Sequence, residues 1–513
     1  MSEEATPSPG RRRGRPQRLP EDPHTLSSGR VGCEQRVAWL LTVARLLGPD
    51  PELARRDGFI AALKERGIAV DASRVSRWES GLQPLPAAVT ATYESVLGLP
   101  VGWLVAVANG LRRSFAGGPS VRRNTAHDVP LNNAEVESLL DRGEQGMATG
   151  AHWLRLTDEL NRYDKVFLRD REWAHVTQQL VGELGRAVGP GYVRRYEAAA
   201  TLIGHPIARQ HLLMAIGRFV TAPDAQVVAP VLNLLAEVPD RAAADLTLRL
   251  LSADTDNVYL RRAASSVAAI KLARGHFDES ALPLLESHVL GALRRGESLD
   301  GRLDAFDLAV RLPDHSWERV AGGLRTRRAF GLVTNARAGD ELVPAARAAS
   351  LIADIAPAIQ ADTPSHQAQE PDQMLRRLLR EALLHSHKPR RHHAALLIAA
   401  SPYAPAAARH CLRLAADDNE LLAARAWTVL MRLGDGGRRD QVVHRAIVEE
   451  RPTVRARALV NAGLGGPLTR RTTPRPSSAP SGGWTGARPS TTGISSRSER
   501  GPPGSVHRDL RSS

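Results

Sequence analysis

Ala72-Ser73-Arg74-Val75-Ser76-Arg77-Trp78-Glu79-Ser80-Gly81 reads as a short amphipathic helix with a glycine stop. Asp71 stands at the N-cap, where its carboxylate can take up a free backbone N–H of the first turn. Gly81 stands where the chain must leave the helix. Val75 and Trp78, three residues apart, predict the buried side, and the Ser and Arg side chains predict an exposed hydrogen-bonding face. Just upstream, Gly58 to Arg66 has a second helical pattern, ended by Gly67. Two short helices joined by a tight glycine-containing turn, the second displaying Ser and Arg, have the layout of a DNA-reading helix-turn-helix.

The string Ser73 to Gly81 resembles the recognition helix of the phage repressor/Cro-type (XRE) family. Members commonly carry a polar-polar-Ile-Ser-Arg-aromatic/aliphatic-Glu-x-Gly pattern there. The flanks agree: Arg36–Leu47 matches the first helix, Phe59–Arg66 the second, Ala87–Leu97 the fourth and Val101–Arg112 a fifth. The chain departs from the family in a longer turn between Gly67 and Val75. It also has Arg55, Arg56 and Asp57 where the family often places a Gln at the start of the second helix. The resemblance covers residues 31–115. It implies double-stranded DNA as partner, with Glu79 tied back to an Arg on the first helix, for which Arg45 is the candidate.

A helix lying in the major groove offers its N-terminal side chains to base edges, where Arg can bridge guanine O6 and N7. The expected DNA-binding set is Ser73, Arg74, Ser76, Arg77, Gln83, Arg55 and Arg56. Arg77, one turn beyond Ser73 and Arg74, is the first candidate for a guanine. Ser73 and Ser76 bond almost any base and position more than they discriminate. Arg74, Arg55 and Arg56 suit phosphate, as does Gln83 in the following loop. One recognition helix buries too little for operator-level affinity, so a homodimer is expected.

Bulk charge is a weaker guide. The net charge is +14, but it is unevenly spread. Residues 467–513 carry eight Arg against Glu499 and Asp509, a surplus of six, and residues 1–30 carry six Arg against four acids, a surplus of two. Six charges remain for the long stretch between. Only Lys64, Lys165, Lys271 and Lys388 are lysines, so 65 of the 69 basic residues are Arg, a composition expected of a GC-rich bacterial gene. The two cysteines, Cys33 and Cys411, make no disulfide framework and suit a reducing, cytoplasmic setting. No apolar run approaches the ~20 residues of a membrane span, so no membrane partner is expected.

The expected fold class is all-α: an N-terminal helix-turn-helix domain, then a large helical region with disordered ends. The divisions are a disordered basic arm (1–29), the helix-turn-helix domain (30–115), a linker (116–130), a helical region (131–380), helical repeats (381–464) and a disordered basic tail (465–513). The repeat signal is Leu422-x-x-Arg425-Ala426-x-x-Val429, echoed by Val454-x-x-Arg457-Ala458. Arg391-x-x-Ala394-Ala395-x-x-Ile398 precedes it, and Leu260-x-x-Ala263-Ala264-x-x-Val267 lies further upstream. Small Ala lets helices approach closely, and neighbouring units must stack to bury their apolar faces. The pattern is similar to HEAT-type repeats in degenerate form.

Enzyme signatures are lacking: there is no Gly-rich phosphate loop, no His-Glu-x-x-His and no Gly-x-Ser-x-Gly. No cofactor is expected. His385, His387, His392 and His393 could hold a metal, but interleaved Lys388, Arg390 and Arg391 oppose a cation, and a solvated turn is the expectation. Trp153, Tyr163, Trp173, Tyr192 and Tyr196 are expected as core, with a ligand pocket or dimer interface as the alternative. The sequence thus predicts a DNA-binding transcriptional regulator, not an enzyme, whose helical region senses a small-molecule or protein effector. A cytosolic helical-repeat scaffold for protein partners is the alternative. It would place an apolar patch where a regulator places Arg55, Arg56, Arg74 and Arg77.

Overall fold

The computed structural model describes residues 18–464 apart from 116–129, 167, 223–224, 226–227, 254–256, 295–298, 325–330, 332, 335, 339–340, 342 and 366–369. The expected linker apart from Pro130, the tail, and the first part of the arm lie outside the described residues. Those described are helical throughout apart from turns and one isolated bridge between Glu341 and His385. The fold is all-α, as the hydrophobic periodicity predicted. None of the described helices is long and apolar enough to cross a membrane.

The N-terminal module comprises α1 (Cys33–Leu46), the single turn α2 (Pro51–Ala54), α3 (Arg56–Glu65), α4 (Ala72–Glu79), α5 (Ala87–Val96) and α6 (Trp103–Phe115). Local chemistry sets these boundaries. Asp71 Oδ1 accepts the Arg74 N–H at 2.7 Å and starts α4. Gly67 (φ +81°) and Gly81 (φ +70°) take the left-handed turns that end α3 and α4, where a Cβ would be strained. The long turn between these helices is anchored by Val70, whose side chain enters the core. Glu94, buried on α5, accepts the N–H groups of Gly102 (2.6 Å) and Val105 (3.0 Å), capping α6 from a neighbouring helix. The module's core is Trp39, Phe59, Leu63, Val75, Trp78 and Tyr93.

C-terminal to it, helices pair and stack. Gln373–Leu384 packs on Lys388–Ala399, Ala404–Leu414 on Glu420–Leu433, and Arg439–Val448 on Pro452–Leu464. Glu420–Leu433 also contacts Lys388–Ala399 and Pro452–Leu464, so the second helices of successive pairs form one continuous inner layer. The four repeat segments all lie on helices and turn their periodic residues inward. Ala264, Ala394, Ala426 and Ala458 are fully buried at the crossings, beside Val267, Ile398, Val429 and Val454. Small residues permit close helix approach here, and the stacking buries faces that no single pair could cover.

Candidate nucleic-acid interface and its anchor

The geometry of α4 follows from its period. Val75 and Trp78 are buried, while Ser73, Arg74 and Arg77 are exposed and Ser76 is half-buried. Ser73 and Arg77 are separated by one turn, as are Arg74 and Arg77, so the three share the outward face. The Arg74 guanidinium lies 5.4 Å from the centre of the Trp78 ring, a cation–π contact that holds its stem against the helix. Gln83, half-buried, follows in the turn, its N–H bonded to the Arg77 carbonyl at 3.2 Å. The structure therefore brings Ser73, Arg74, Ser76, Arg77 and Gln83 together on one short segment.

Arg55 and Arg56 stand apart from them at the start of α3. Arg55 is exposed, with Glu52 at 3.5 Å. Arg56 is half-buried and its Nε has no hydrogen-bond partner. No hydrogen bond or ion pair joins either residue to α4 among the described residues. Leu82 is 80% exposed immediately after α4, an apolar group at the rim of a polar face.

Behind this face lies a buried ion pair. Arg45 Nε and Nη2 donate to Glu79 Oε1 (2.6 Å) and Oε2 (2.8 Å), and Nη1 donates to the Ala54 carbonyl (2.6 Å). Glu79 thus points inward and fastens α4 to α1, as the sequence reading expected of Arg45. Paired fork-to-fork, the two charges have their hydrogen bonds filled, and the exposed face of α4 is held at one angle.

The reverse side of α1 meets the helical array. Arg36, fully buried, donates to both oxygens of Glu381 (2.7 Å each) and to Asp22 (2.7 Å). Arg377 also reaches Glu381 (2.7 Å) and donates to the carbonyls of His24 and Thr25. Arg390 takes the carbonyls of Leu26 and Arg30. Burial pushes the Glu381 carboxyl upward, but Arg36, Arg390 and Arg377 outweigh it and hold it at about 2. Trp39 Nε1 donates to Asp372 (2.9 Å), which also caps Gln373–Leu384 by accepting the Leu375 N–H (2.8 Å). Residues 22–29 were expected within a disordered arm, and instead these side chains fasten them to Gln373–Leu384 and Lys388–Ala399. Sequence reasoning missed every member of this anchor, whose partners are too far apart in the chain for any local pattern.

The histidine cluster corrects an expectation. It is no solvated turn: His385 and His393 are buried, with His387 and His392 half-buried, at the start of Lys388–Ala399. Of the flanking cations Arg390 and Arg391 are buried rather than solvated, with hydrogen bonds to backbone carbonyls and Asp307. Burial pushes His385 and His393 down to about 3, so both are neutral at physiological pH. Among the described residues, no three His, Cys, Asp or Glu converge as metal ligands. Of the aromatic group, Trp153 and Trp173 are core, Tyr163 is 51% exposed, and Tyr192 and Tyr196 line a cleft.

That cleft opens between α6 and the helices Gly189–Ile203, Lys388–Ala399 and Glu420–Leu433, and encloses about 730 Å3, solvent at its mouth included. Arg113 donates to both oxygens of Glu197 (2.8 and 2.7 Å), and Arg274 to Glu237 (2.9 Å). Tyr196 Oη donates to Glu237 (3.1 Å), and Ser114 Oγ bonds His393 Nε2 (2.8 Å). Compared with known proteins, the chain matches no protein family and no curated protein.

Proposed function

We propose that this protein is a sequence-specific DNA-binding transcriptional regulator of the phage repressor/Cro type, working as a homodimer, with a HEAT-like helical array as its sensing or partner-binding part. The observation that carries the reading is the outward face of α4. Ser73, Arg74 and Arg77 are exposed on a short helix whose inner face is fixed by Val75, Trp78 and the Arg45–Glu79 pair. A rigid helix presenting exposed guanidinium and hydroxyl groups suits base edges and phosphates.

Arg77 is assigned to a guanine, and Arg74 and Arg55 to phosphate. The half-buried Arg56 is assigned to phosphate with less reach. Arg77→Ala is expected to cost about 1–3 kcal/mol in specific binding and to relax preference at one base pair. Arg55→Ala is expected to weaken binding to all sequences alike and to flatten the salt dependence. Competition titrations with specific and scrambled duplexes at fixed salt separate the two.

The second reading, a protein-binding scaffold, draws on Leu82, at 80% the most exposed large apolar side chain among the described residues. It predicts that Leu82→Ser abolishes partner binding and that DNA competes for nothing.

A further inference from the structure

The cleft beside α6 has an excess of positive charge that the protein itself does not answer. Its floor is balanced, since Arg113 and Arg274 face Glu197 and Glu237. Two more cations line the walls: Lys388, whose Nζ donates to the Ser266 hydroxyl, and Arg432; neither has a carboxylate within ion-pair distance among the described residues. The acids that act on Lys388 are Asp304 and Asp307, and these are engaged by Arg262 (3.1 Å) and Arg391 (2.8 Å). Burial pushes the Lys388 ammonium down, and Arg391 and Arg432 push it the same way, against those acids. Like charges removed from water without a counter-charge are costly, and a bound anion relieves that cost.

The rest of the cleft suits the body of a ligand. Arg432 lies over the Tyr192 ring at 5.1 Å, forming a flat wall, and Ala106, Val193 and Ile270 are apolar. Two buried polar atoms in the lining, Asn233 Oδ1 and His393 Nδ1, have no hydrogen-bond partner. Buried polar atoms are rarely left so, and those that are mark places where a further group can bind.

We propose that this cleft binds a small organic molecule with a flat apolar body and one anionic group, carboxylate or phosphate, paired by Lys388 and Arg432. The ring lies along Tyr192, and the polar edge reaches Asn233 and His393. Because α6 forms one wall through Gly110 and Ser114, ligand and N-terminal module share a surface. Any effect on DNA binding rests on the proposed function, but the binding itself does not.

Calorimetric titration of the full chain at fixed ionic strength tests it, with benzoate, phenyl phosphate, neutral benzamide and inorganic phosphate as probes. The expected result is saturable one-to-one binding of benzoate or phenyl phosphate, with the stronger of the two naming the anionic group. Benzamide and inorganic phosphate are expected to bind at least about tenfold more weakly. Arg432→Ala and Lys388→Met, tested separately, are each expected to weaken the anion by about tenfold or more. The proposal is overturned if neither aromatic anion binds saturably, if benzamide or inorganic phosphate binds as well, or if binding is indifferent to Arg432→Ala and Lys388→Met. No step uses DNA, so failure here leaves the DNA-binding reading standing.

Discussion

Arg36 and Glu381, 345 positions apart in the chain, form a fully buried bidentate ion pair through two 2.7 Å hydrogen bonds. The pair joins α1, the helix that carries Arg45, to Gln373–Leu384 in the array. Arg45 in turn holds Glu79 on α4. Two buried ion pairs on one helix thus connect the exposed face of α4 to the C-terminal half of the molecule.

Removing one partner of the first pair leaves buried charge unanswered. Glu381→Leu leaves Arg36 with Asp22 as its carboxylate and Arg377 and Arg390 with backbone carbonyls in place of a counter-charge, and is expected to cost about 3–5 kcal/mol. Arg36→Met combined with Glu381→Leu is expected to recover part of that loss. Urea denaturation of Arg36→Met, Glu381→Leu and the double variant checks this; additive losses would show that the two residues are not coupled.

Glu79→Ala acts on the second pair. It removes the carboxylate that Arg45 Nε and Nη2 hydrogen-bond, and is expected to cost about 3 kcal/mol and to loosen α4. DNA affinity is expected to fall although every exposed Arg is untouched. Hydrogen exchange of the α4 amides reports the loosening directly, since they exchange faster once the tie to α1 is gone.

Acid is expected to destabilise the protein in two stages. His385 and His393 are held by burial at about 3, below their unfolded value near 6.5. A depressed folded value contributes stability that is full above the unfolded pKa and is lost as pH falls toward the folded one. Each neutral imidazole therefore surrenders up to about 1.4 kcal/mol per pH unit below 6.5. Glu381 and Glu237, held at about 2 by arginines against the upward push of burial, add a second loss below about pH 4.5. The melting temperature is expected to fall between pH 6.5 and 5, and His393→Gln to remove part of that slope. A flat profile from pH 7 to 5 would contradict it.

Both thiols are expected to be inert in the folded state. Burial raises Cys33 to about 11 and Cys411 to about 12, and neither forms a disulfide. A thiol-reactive dye at pH 8 is expected to label them only as fast as the chain unfolds.

What could be read from the sequence was what depends on near neighbours. Asp71 and Gly81 bracket α4 because capping is a matter of three or four residues. Glu79 and Arg45 were matched from their places in a helix-turn-helix, and the repeats from the spacing of Ala and Val. Arg36–Glu381 and Trp39–Asp372 left no trace, because a partner more than 300 positions away imposes no local period. The histidine cluster misled for a related reason. Lys388, Arg390 and Arg391 look solvated in sequence, but Ser266, the carbonyls of Leu26 and Arg30, and Asp307 supply hydrogen bonds to them. The cleft was half legible: Tyr192 and Tyr196 stood out at helical spacing, while Arg113, Arg274 and Arg432 come from three other helices.

The most direct test of the central claim is selection of bound duplexes from a random library by the purified protein, wild type beside Arg74→Ala/Arg77→Ala. The account predicts an enriched motif for wild type, a two-fold symmetric one if the homodimer binds, and its loss or relaxation in the variant. No enriched motif, or the same motif recovered by the variant, would contradict a DNA-reading role for α4.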